Sequence, residues 1–356
     1  MNLSKDQMKI VTTDYSKVVV VAAAASGKTA VLAERVKYLL DIGVPANEIV
    51  LITFTNAAAE ELAERLGHPK GLFIGTIHSY ANYLLLSYGN DTAEILQNEQ
   101  FDLLFEKIKN HPECIRKVSH LLLDESQDSN KKHFEFLLDM VNPENYMLVG
   151  DWRQSIYRWN GAYPDYLIDL TKEPTVKTYE LNENYRNADS ILNFAKSMIM
   201  TNGYDYRDTS IPMRGISGKL VTDLEYNPHA IARTFAQMGG EDYGKWFVLT
   251  RTNEQLDEIA NYFQKNKIPY DTFKRAQLDN KELNKKMKEN TVKLLTIHTA
   301  KGLEADNVVV IGAKFYNVEE KCISYVAATR ARKLLVWTRE KQKQTRKGIS
   351  NWESKY

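Results

Sequence analysis

The sequence predicts an α/β protein with two tandem domains, each a parallel sheet flanked by helices. Short apolar, β-branched runs recur along the chain, and amphipathic segments such as NAAAEELAERLG and NEQLDEIANYFQKN lie between them. Strands that alternate with helices in this way are typical of parallel sheets. A chain of 356 residues has room for two domains of ordinary size, each with its own core.

The predicted strands fall into two sets. The first set is 18–22, 49–54, 72–76, 120–123 and 146–149, and the second is 176–181, 246–250, 292–297, 308–311 and 334–337. The polar segment TKEPT at 171–175 separates them, and its proline interrupts the periodic pattern. We therefore expect domains at 1–174 and 175–356.

Composition narrows the class of protein. Lys plus Arg is 47 and Asp plus Glu is 46, so any DNA-binding groove must be basic locally rather than globally. Cys114 and Cys322 are too few for a disulfide framework, and nothing at the N-terminus resembles a signal peptide, which favours a cytoplasmic location. The longest apolar runs fall short of the roughly 18 residues that a membrane span needs, so we expect no membrane association.

The segment VVVVAAAASGKT predicts a phosphate-binding loop between a strand and a helix. In such a loop the backbone N–H groups, here of Ala25, Ser26 and Gly27, surround phosphate oxygens, Lys28 neutralises charge, and the Thr29 hydroxyl binds Mg²⁺. The strict pattern has glycine where this chain has alanine at position 22, and alanine tolerates a positive φ poorly. Alone, the segment could also be an ordinary strand-to-helix turn.

A second motif supports nucleotide binding. LLLDESQD predicts a buried strand that is followed by two acids, Asp124 and Glu125. At the edge of a parallel sheet Asp124 would hold Mg²⁺, and Glu125 would orient and deprotonate the attacking water. A solvated acidic strand end is the alternative interpretation.

The ordered motifs resemble those of the UvrD/Rep-type superfamily 1A DNA helicases, and the resemblance covers both halves of the chain. The matching segments are LSKDQMKIV, LITFTNAAAEELAERL, GTIHSYA, LLLDESQDSN, LVGDWRQSIYRWNGA, LNENYRNADSIL, VLTRTNEQL, LLTIHTAKGLEADNVVVIG and ISYVAATRARKLL. This resemblance implies two RecA-like domains with ATP and Mg²⁺ bound between them.

The resemblance also implies roles for individual residues around the nucleotide. Arg186 and Arg330 would reach the γ-phosphate from the second domain, and Gln154 would connect the phosphate region to DNA. The residues that would surround the rest of the nucleotide are Gln7 and Tyr185 at the adenine, Glu304 at the ribose and Gly302 near the γ-phosphate.

The candidate DNA-binding residues are mainly aromatic. Phe54, Tyr157 and Trp159 would stack on bases without reading their sequence, although Tyr157 and Trp159 could instead be core residues. The other candidates that follow from the resemblance are Thr55, Asn56, His78, Arg158, Thr296 and His298.

The sequence departs from the family pattern in three places. Ala57 and Asn160 replace basic residues that the family usually has, and the phosphate-binding loop contains one glycine. The stretches from Ser79 to Asp124 and from Asn253 to Ile297 are short, so we expect only a helical remnant of subdomain 1B at 80–118. Subdomain 2B is expected to be absent or minimal at about 271–291.

The sequence therefore predicts an ATP-dependent single-stranded DNA translocase or helicase, and the family resemblance implies that it moves 3′ to 5′. Its partner would be single-stranded DNA or a single-strand/duplex junction, with room for a loading or accessory protein. The alternative is a nucleotide-gated module that binds single strands or displaces proteins and does not unwind duplex alone. A P-loop kinase or transferase is a third reading, but it would have no use for the aromatic segment SIYRWNG.

Overall fold

The computed structural model describes residues 3–199, 208–213, 215, 217–273, 285–313 and 317–339, and all structural statements concern these residues. Residues 274–284, within the predicted 2B position, lie outside the described residues, as does the chain after Arg339. In the described part of the chain, no helix has the length and hydropathy that a bilayer span needs.

The first half of the chain forms a six-stranded parallel sheet. Its strands are β1 (Lys17–Ala22), β2 (Ile49–Ile52), β3 (Phe73–Gly75), β4 (His120–Leu123), β5 (Asn145–Gly150) and β6 (Lys177–Leu181). They lie in the order β3-β2-β4-β5-β1-β6. The helices of this half are α1 (Lys5–Val11), α2 (Lys28–Asp41), α3 (Asn56–Leu66), α4 (Ile77–Ser87), α5 (Ala93–Gln97), α6 (Asp102–Asn110), α7 (Lys131–Phe134) and α8 (Pro164–Leu170).

The second half forms a similar sheet. Its strands are β9 (Lys219–Glu225), β10 (Trp246–Thr250), β11 (Tyr270–Phe273), β12 (Val292–Thr296), β13 (Ala305–Ala313) and β14 (Ala331–Arg339), in the order β11-β12-β10-β13-β14-β9. Two short strands, β7 (Glu183–Asn184) and β8 (Ile211–Pro212), pair beside it. The helices are α9 (Asp189–Ile199), α10 (Pro228–Gln237), α11 (Asn253–Lys265) and α12 (Val318–Ala328).

Alternating side chains place helices on both faces of each sheet. In β1, Val18 and Val20 join the core with α1 and α2, whereas Val19 and Val21 join the core with α4 and α6. Both faces are therefore dry, which explains why the parallel strands are almost continuously apolar. The predicted fold class, two α/β domains with parallel sheets flanked by helices, is confirmed.

Strand β6 corrects one sequence-based expectation. We assigned residues 176–181 to the second domain, but β6 pairs in parallel with β1 in the first sheet, with Val19 opposite Thr178. The predicted boundary between residues 174 and 175 therefore separates this sheet from its edge strand. The proline in TKEPT marks a turn after α8, and the turn leads back to the same sheet.

The two halves share a core. Ile156 and Tyr157, which follow β5, pack in one apolar cluster with α9 and α12 of the second half. The predicted 1B position, 80–118, holds most of α4 together with α5 and α6. That this segment corresponds to 1B stays a prediction.

Candidate functional site

The candidate phosphate-binding loop follows the carboxyl end of β1 and leads into α2, which begins at Lys28. Ala25 and Gly27 both have positive φ, 59° and 83°. A side chain at Gly27 would be strained by this φ, and its Cβ atom would lie 2.8 Å from the Gln7 amide nitrogen, so this position favours glycine. Ala25 also adopts the left-handed conformation, which is strained for alanine. At this position the shortage of glycine in the loop therefore costs free energy of folding.

Gln7 is fixed against the same loop. Ser4 and Gln7 form a capping box at the start of α1, and Gln7 Nε2 donates a hydrogen bond of 3.0 Å to the Ser26 carbonyl. Only 5% of the Gln7 side chain is exposed. This arrangement holds a side-chain amide at the edge of the loop, as the predicted contact with adenine would need.

The two acids follow β4 and face the loop. Lys28 Nζ lies 3.6 Å from Glu125 Oε1, and Gln127 donates a hydrogen bond to the other Glu125 oxygen. Burial, and then the charge of Glu125, raise the pKa of Asp124. Burial opposes ionisation of Glu125 too, but Lys28 and Lys301 outweigh it and lower the pKa of Glu125. The site thus keeps Glu125 ionised beside a buried second carboxyl.

A cavity of about 720 Å³ lies between the two halves of the chain and joins these parts. The residues of both halves that line it include every predicted catalytic, nucleotide-binding and metal-binding residue: Gln7, Ala25, Ser26, Gly27, Lys28, Thr29, Asp124, Glu125, Gln154, Tyr185, Arg186, Gly302, Glu304 and Arg330. Ser26 Oγ and Thr53 Oγ1 are buried in this wall without a hydrogen-bond partner. Unpaired polar atoms of this kind suit a polar ligand.

Two arginines enter the cavity from the second half. Arg330 is 2% exposed, and it donates to the Val326 and Leu303 carbonyls at 2.9 and 3.1 Å. Burial, and then Arg186, lower the pKa of Arg330 to about 9, so it stays charged at neutral pH. Arg186 Nε donates to Glu304, which also pairs with Arg332.

Tyr185, predicted at the adenine, and Gly302, predicted near the γ-phosphate, both line the cavity. The Tyr185 backbone N–H donates to the Ala25 carbonyl at 3.1 Å, which fixes the tyrosine beside the phosphate-binding loop. Gly302 has a φ of 86°, and no atom lies within 4 Å of where its Cβ would be. Gly302 therefore leaves open space in the wall of the cavity.

Lys301 lines the cavity and was not among the residues that we predicted at this site. It comes from the second half, but it pairs with Asp128 of the first half and donates to the Gln154 carbonyl at 2.9 Å. Its ammonium group lies 5.1 Å from the centre of the Tyr157 ring. A lysine in a TAKG segment looks like a surface residue in the sequence, and only the approach of the two halves reveals its position.

The predicted DNA-stacking residues differ in exposure. Phe54 and Tyr157 are stacked on each other, with ring centres 5.2 Å apart, and Tyr157 is only 5% exposed. Trp159 is 64% exposed and lies beside His298, with ring centres 6.4 Å apart. Of these three rings, that of Trp159 is the most exposed.

The other DNA-binding candidates are dispersed. Thr55 lines the cavity and caps α3, of which Asn56 is the first residue. Arg158 pairs with Asp165 at 3.2 Å, and Thr296 ends β12. His78 lies on α4 against Phe101, Phe105 and His133, outside the residues that line the cavity.

Comparison with known proteins gives two family matches. The model of the UvrD/REP helicase N-terminal domain matches residues 3–111 and 94–175, and that of the UvrD-like helicase C-terminal domain matches 179–277 and 271–342. Together the two matches extend over nearly the whole chain and follow each other in the order of the two sheets.

Curated relatives are similar at low identity. A probable DNA helicase of Mycoplasma pneumoniae is 25% identical over 94% of this chain and 82% of its own length. The ATP-dependent DNA helicase PcrA of Staphylococcus epidermidis is 25% identical over 76% of this chain and 50% of its own length. For the ATP-dependent DNA helicase Rep of Escherichia coli the values are 24%, 76% and 55%, so the chain spans about half the length of PcrA and Rep.

Proposed function

Because this chain belongs to the UvrD/Rep helicase family, we propose that it is a DNA-dependent ATPase that moves along single-stranded DNA. The observation that carries the proposal is the cavity between the two halves, in which Lys28 and Glu125 face Arg186 and Arg330. A site divided between two bodies lets the state of a nucleotide control how those bodies sit relative to each other. Such control is what a molecular motor requires.

In the proposed site, the nucleotide lies with its base between Gln7 and Tyr185 and its phosphates along the loop at 25–27. Lys28 and the N-terminus of α2 neutralise the phosphate charge. Thr29 and Asp124 would hold Mg²⁺, which supplies charge neutralisation at the phosphates when bound. Glu304 would turn from Arg186 to the ribose.

Hydrolysis would depend on both halves. Glu125, kept ionised by Lys28 and Lys301, orients the attacking water and accepts its proton. Arg186 and Arg330 stabilise the charge that develops on the γ-phosphate. Since both arginines come from the second half, turnover requires the cavity to be closed.

The residues beside the γ-phosphate also offer a connection to DNA. The Gln154 side chain lies near Arg330, and three residues later Tyr157 stacks on Phe54 and contacts His298. Loss of the γ-phosphate would therefore shift the segment that carries Trp159. We propose that Trp159, Tyr157 and Phe54 hold bases in turn while the halves open and close. The 3′ to 5′ direction rests on the family resemblance.

A second candidate is a nucleotide-gated module that binds single strands or displaces proteins without unwinding duplex. The short chain between α11 and β12 favours it, because this is where the larger 2B subdomain would be inserted.

Either function allows a loading or accessory protein. The buried, unpaired Cys114 and Cys322 suit the reducing cytoplasm, where we place the protein.

The proposal is tested by ATP turnover with and without an unstructured single strand. We expect the strand to raise kcat, and both Lys28→Ala and Glu125→Gln to reduce it by about 100-fold or more. Lys37→Ala and Glu64→Gln are matched controls on α2 and α3, and we expect them to be active. A wild-type rate that does not respond to the strand would contradict the proposal.

Duplex unwinding separates the two candidates. Purified protein is incubated with ATP and duplexes that carry a 3′ or a 5′ single-stranded tail. Release of the strand from the 3′-tailed duplex alone supports a 3′ to 5′ helicase. ATP turnover without release from either duplex supports the module.

A further inference from the structure

A group of charged side chains is buried behind the candidate site, where the two halves meet. Asp151 and Arg153 follow β5, and Asp208 precedes β8; their side chains are 0%, 3% and 0% exposed. Arg153 Nε lies 2.6 Å from Asp151 Oδ1, and Arg153 Nη1 lies 3.3 Å from Asp208 Oδ1. Tyr325, in α12, donates from its hydroxyl to Asp208 at 2.7 Å.

The same group extends to the cavity. Gln154 Nε2 donates to Asp151 at 2.8 Å, and Arg330 Nη2 lies 3.5 Å from Gln154 Oε1. Arg330 follows α12, the helix that carries Tyr325. The contacts therefore form a ring, from Arg330 through Gln154, Asp151, Arg153 and Asp208 back to the last turns of α12.

Stability alone does not account for this ring. Three charged groups lose their hydration when they are buried, and apolar residues of the same volume are often as stable or more stable. The charges do, however, define one orientation. Asp208 accepts from Arg153, Tyr325 and the Ser210 backbone N–H, and each of these three contacts is directional.

We infer that Asp208 is a positioning residue for hydrolysis: through Arg153 it fixes the Asp151–Gln154 turn against α12, so that Gln154 and Arg330 face the γ-phosphate together. This inference rests on the proposed ATPase function. Asp208 does not line the cavity. It acts only on the geometry of residues that do.

Loss of the Asp208 charge should therefore lower the rate of hydrolysis without changing the affinity for nucleotide. Gln7 and Lys28, which would bind the nucleotide, contact the Ser26 carbonyl and Glu125 instead. Asp208→Asn removes a charge and places amide hydrogens against Arg153 or Tyr325, which are themselves donors. The turn then loses its fixed position, and the nucleotide-binding loop does not.

The test compares wild type, Asp208→Asn, the double variant Asp208→Leu/Tyr325→Phe, which leaves the Arg153–Asp151 pair intact, and the control Asp169→Asn, which alters an exposed ion-paired carboxylate. For each, we would measure strand-stimulated kcat and KM for ATP, the affinity for fluorescent ADP, and Tm. We expect Asp208→Asn to lower kcat by about 10- to 100-fold, since small misplacements have effects of this size, with KM and ADP affinity within about twofold. Asp169→Asn should match wild type.

The double variant distinguishes positioning from stability. Apolar replacement should restore Tm relative to Asp208→Asn while kcat stays low. Recovery of kcat together with Tm, or unchanged kcat in Asp208→Asn, would overturn the inference. Wild type without strand-stimulated turnover would instead remove the proposed function itself, and the inference with it.

Discussion

At the residue scale, Lys301 connects the two halves of the chain across the cavity. Its side chain is 10% exposed, and that of its partner Asp128 is 0% exposed. Burial raises the pKa of Asp128 to about 6 even though Lys301 opposes the shift. The lysine of the other half therefore helps to keep this carboxylate charged at neutral pH. The pair joins the two halves of the chain at one wall of the cavity.

Removing the lysine leaves a buried carboxylate without its partner. We expect Lys301→Met to reduce the free energy of unfolding by about 3 kcal/mol, as for other broken buried pairs. Adding Asp128→Leu should recover most of this loss, because the carboxylate that lost its partner is then removed as well. Urea unfolding of both variants measures the effect.

Lys172 and Asp169 supply the matched control, since they form an ion pair of 2.9 Å whose side chains are 69% and 64% exposed. Lys172→Met should change the free energy of unfolding by less than about 1 kcal/mol. Equal effects of Lys301→Met and Lys172→Met would mean that Lys301 and Asp128 are not paired in the interior.

Trp159 should contribute directly to the binding of single strands. Its ring is 64% exposed, so Trp159→Ala should weaken binding of a labelled oligonucleotide by about 1–3 kcal/mol, the usual contribution of one stacked base. Fluorescence anisotropy measures this change. Tyr88→Ala, which removes another exposed ring, is the control. An unchanged affinity in Trp159→Ala would exclude Trp159 from the DNA-binding surface.

The strand ends indicated that the phosphate-binding loop lies beside Asp124 and Glu125, because both follow the carboxyl ends of parallel strands. The positions of Gln7, Arg186 and Arg330 followed only from the family resemblance. Lys301 was missed, since no local pattern distinguishes a lysine that crosses an interface from one in solvent. The stacking of Phe54 on Tyr157 was missed for the same reason. Their motifs belong to different strands, and only packing makes them neighbours.

At the element scale, the phosphate-binding loop combines a required glycine with a strained alanine. A side chain at Gly27 would be strained by the positive φ and would displace the Gln7 amide. Ala25 has a φ of 59°, a conformation that glycine adopts without strain. The ten strands predicted from apolar runs are all present. The edge strands β9 and β11 were missed because their residues are partly exposed and more polar.

Ala25→Gly should stabilise the fold. Relief of the left-handed alanine contributes about 1–2 kcal/mol, and the greater freedom of glycine in the unfolded chain offsets about 0.4–1 kcal/mol of it. We expect a net gain of about 0.5–1 kcal/mol in urea unfolding. Ala63→Gly, within α3, should change stability in the opposite direction by about 1 kcal/mol. Destabilisation by Ala25→Gly would indicate that residue 25 does not have a positive φ.

At the scale of the whole molecule, two similar sheets meet at a cavity that neither could form alone. The sequence predicted two domains of this class, but the position of their boundary could not be read from composition. A proline-containing turn can lead to a new domain or return to the same sheet, and here β6 returns to pair with β1. The arginines proposed to act on the γ-phosphate come from the second half, so the cavity joins residues that are far apart in the sequence, such as Lys28 and Arg330.

The guanidinium group of Arg330, from the second half, is proposed to complete an ATPase site in the first half. The most direct measurement is strand-stimulated ATP turnover by Arg330→Gln, alongside its affinity for fluorescent ADP and its Tm. We expect kcat to fall by about 1,000-fold or more while ADP still binds, as for other arginines that act on the γ-phosphate across an interface. Turnover close to that of wild type would contradict the account.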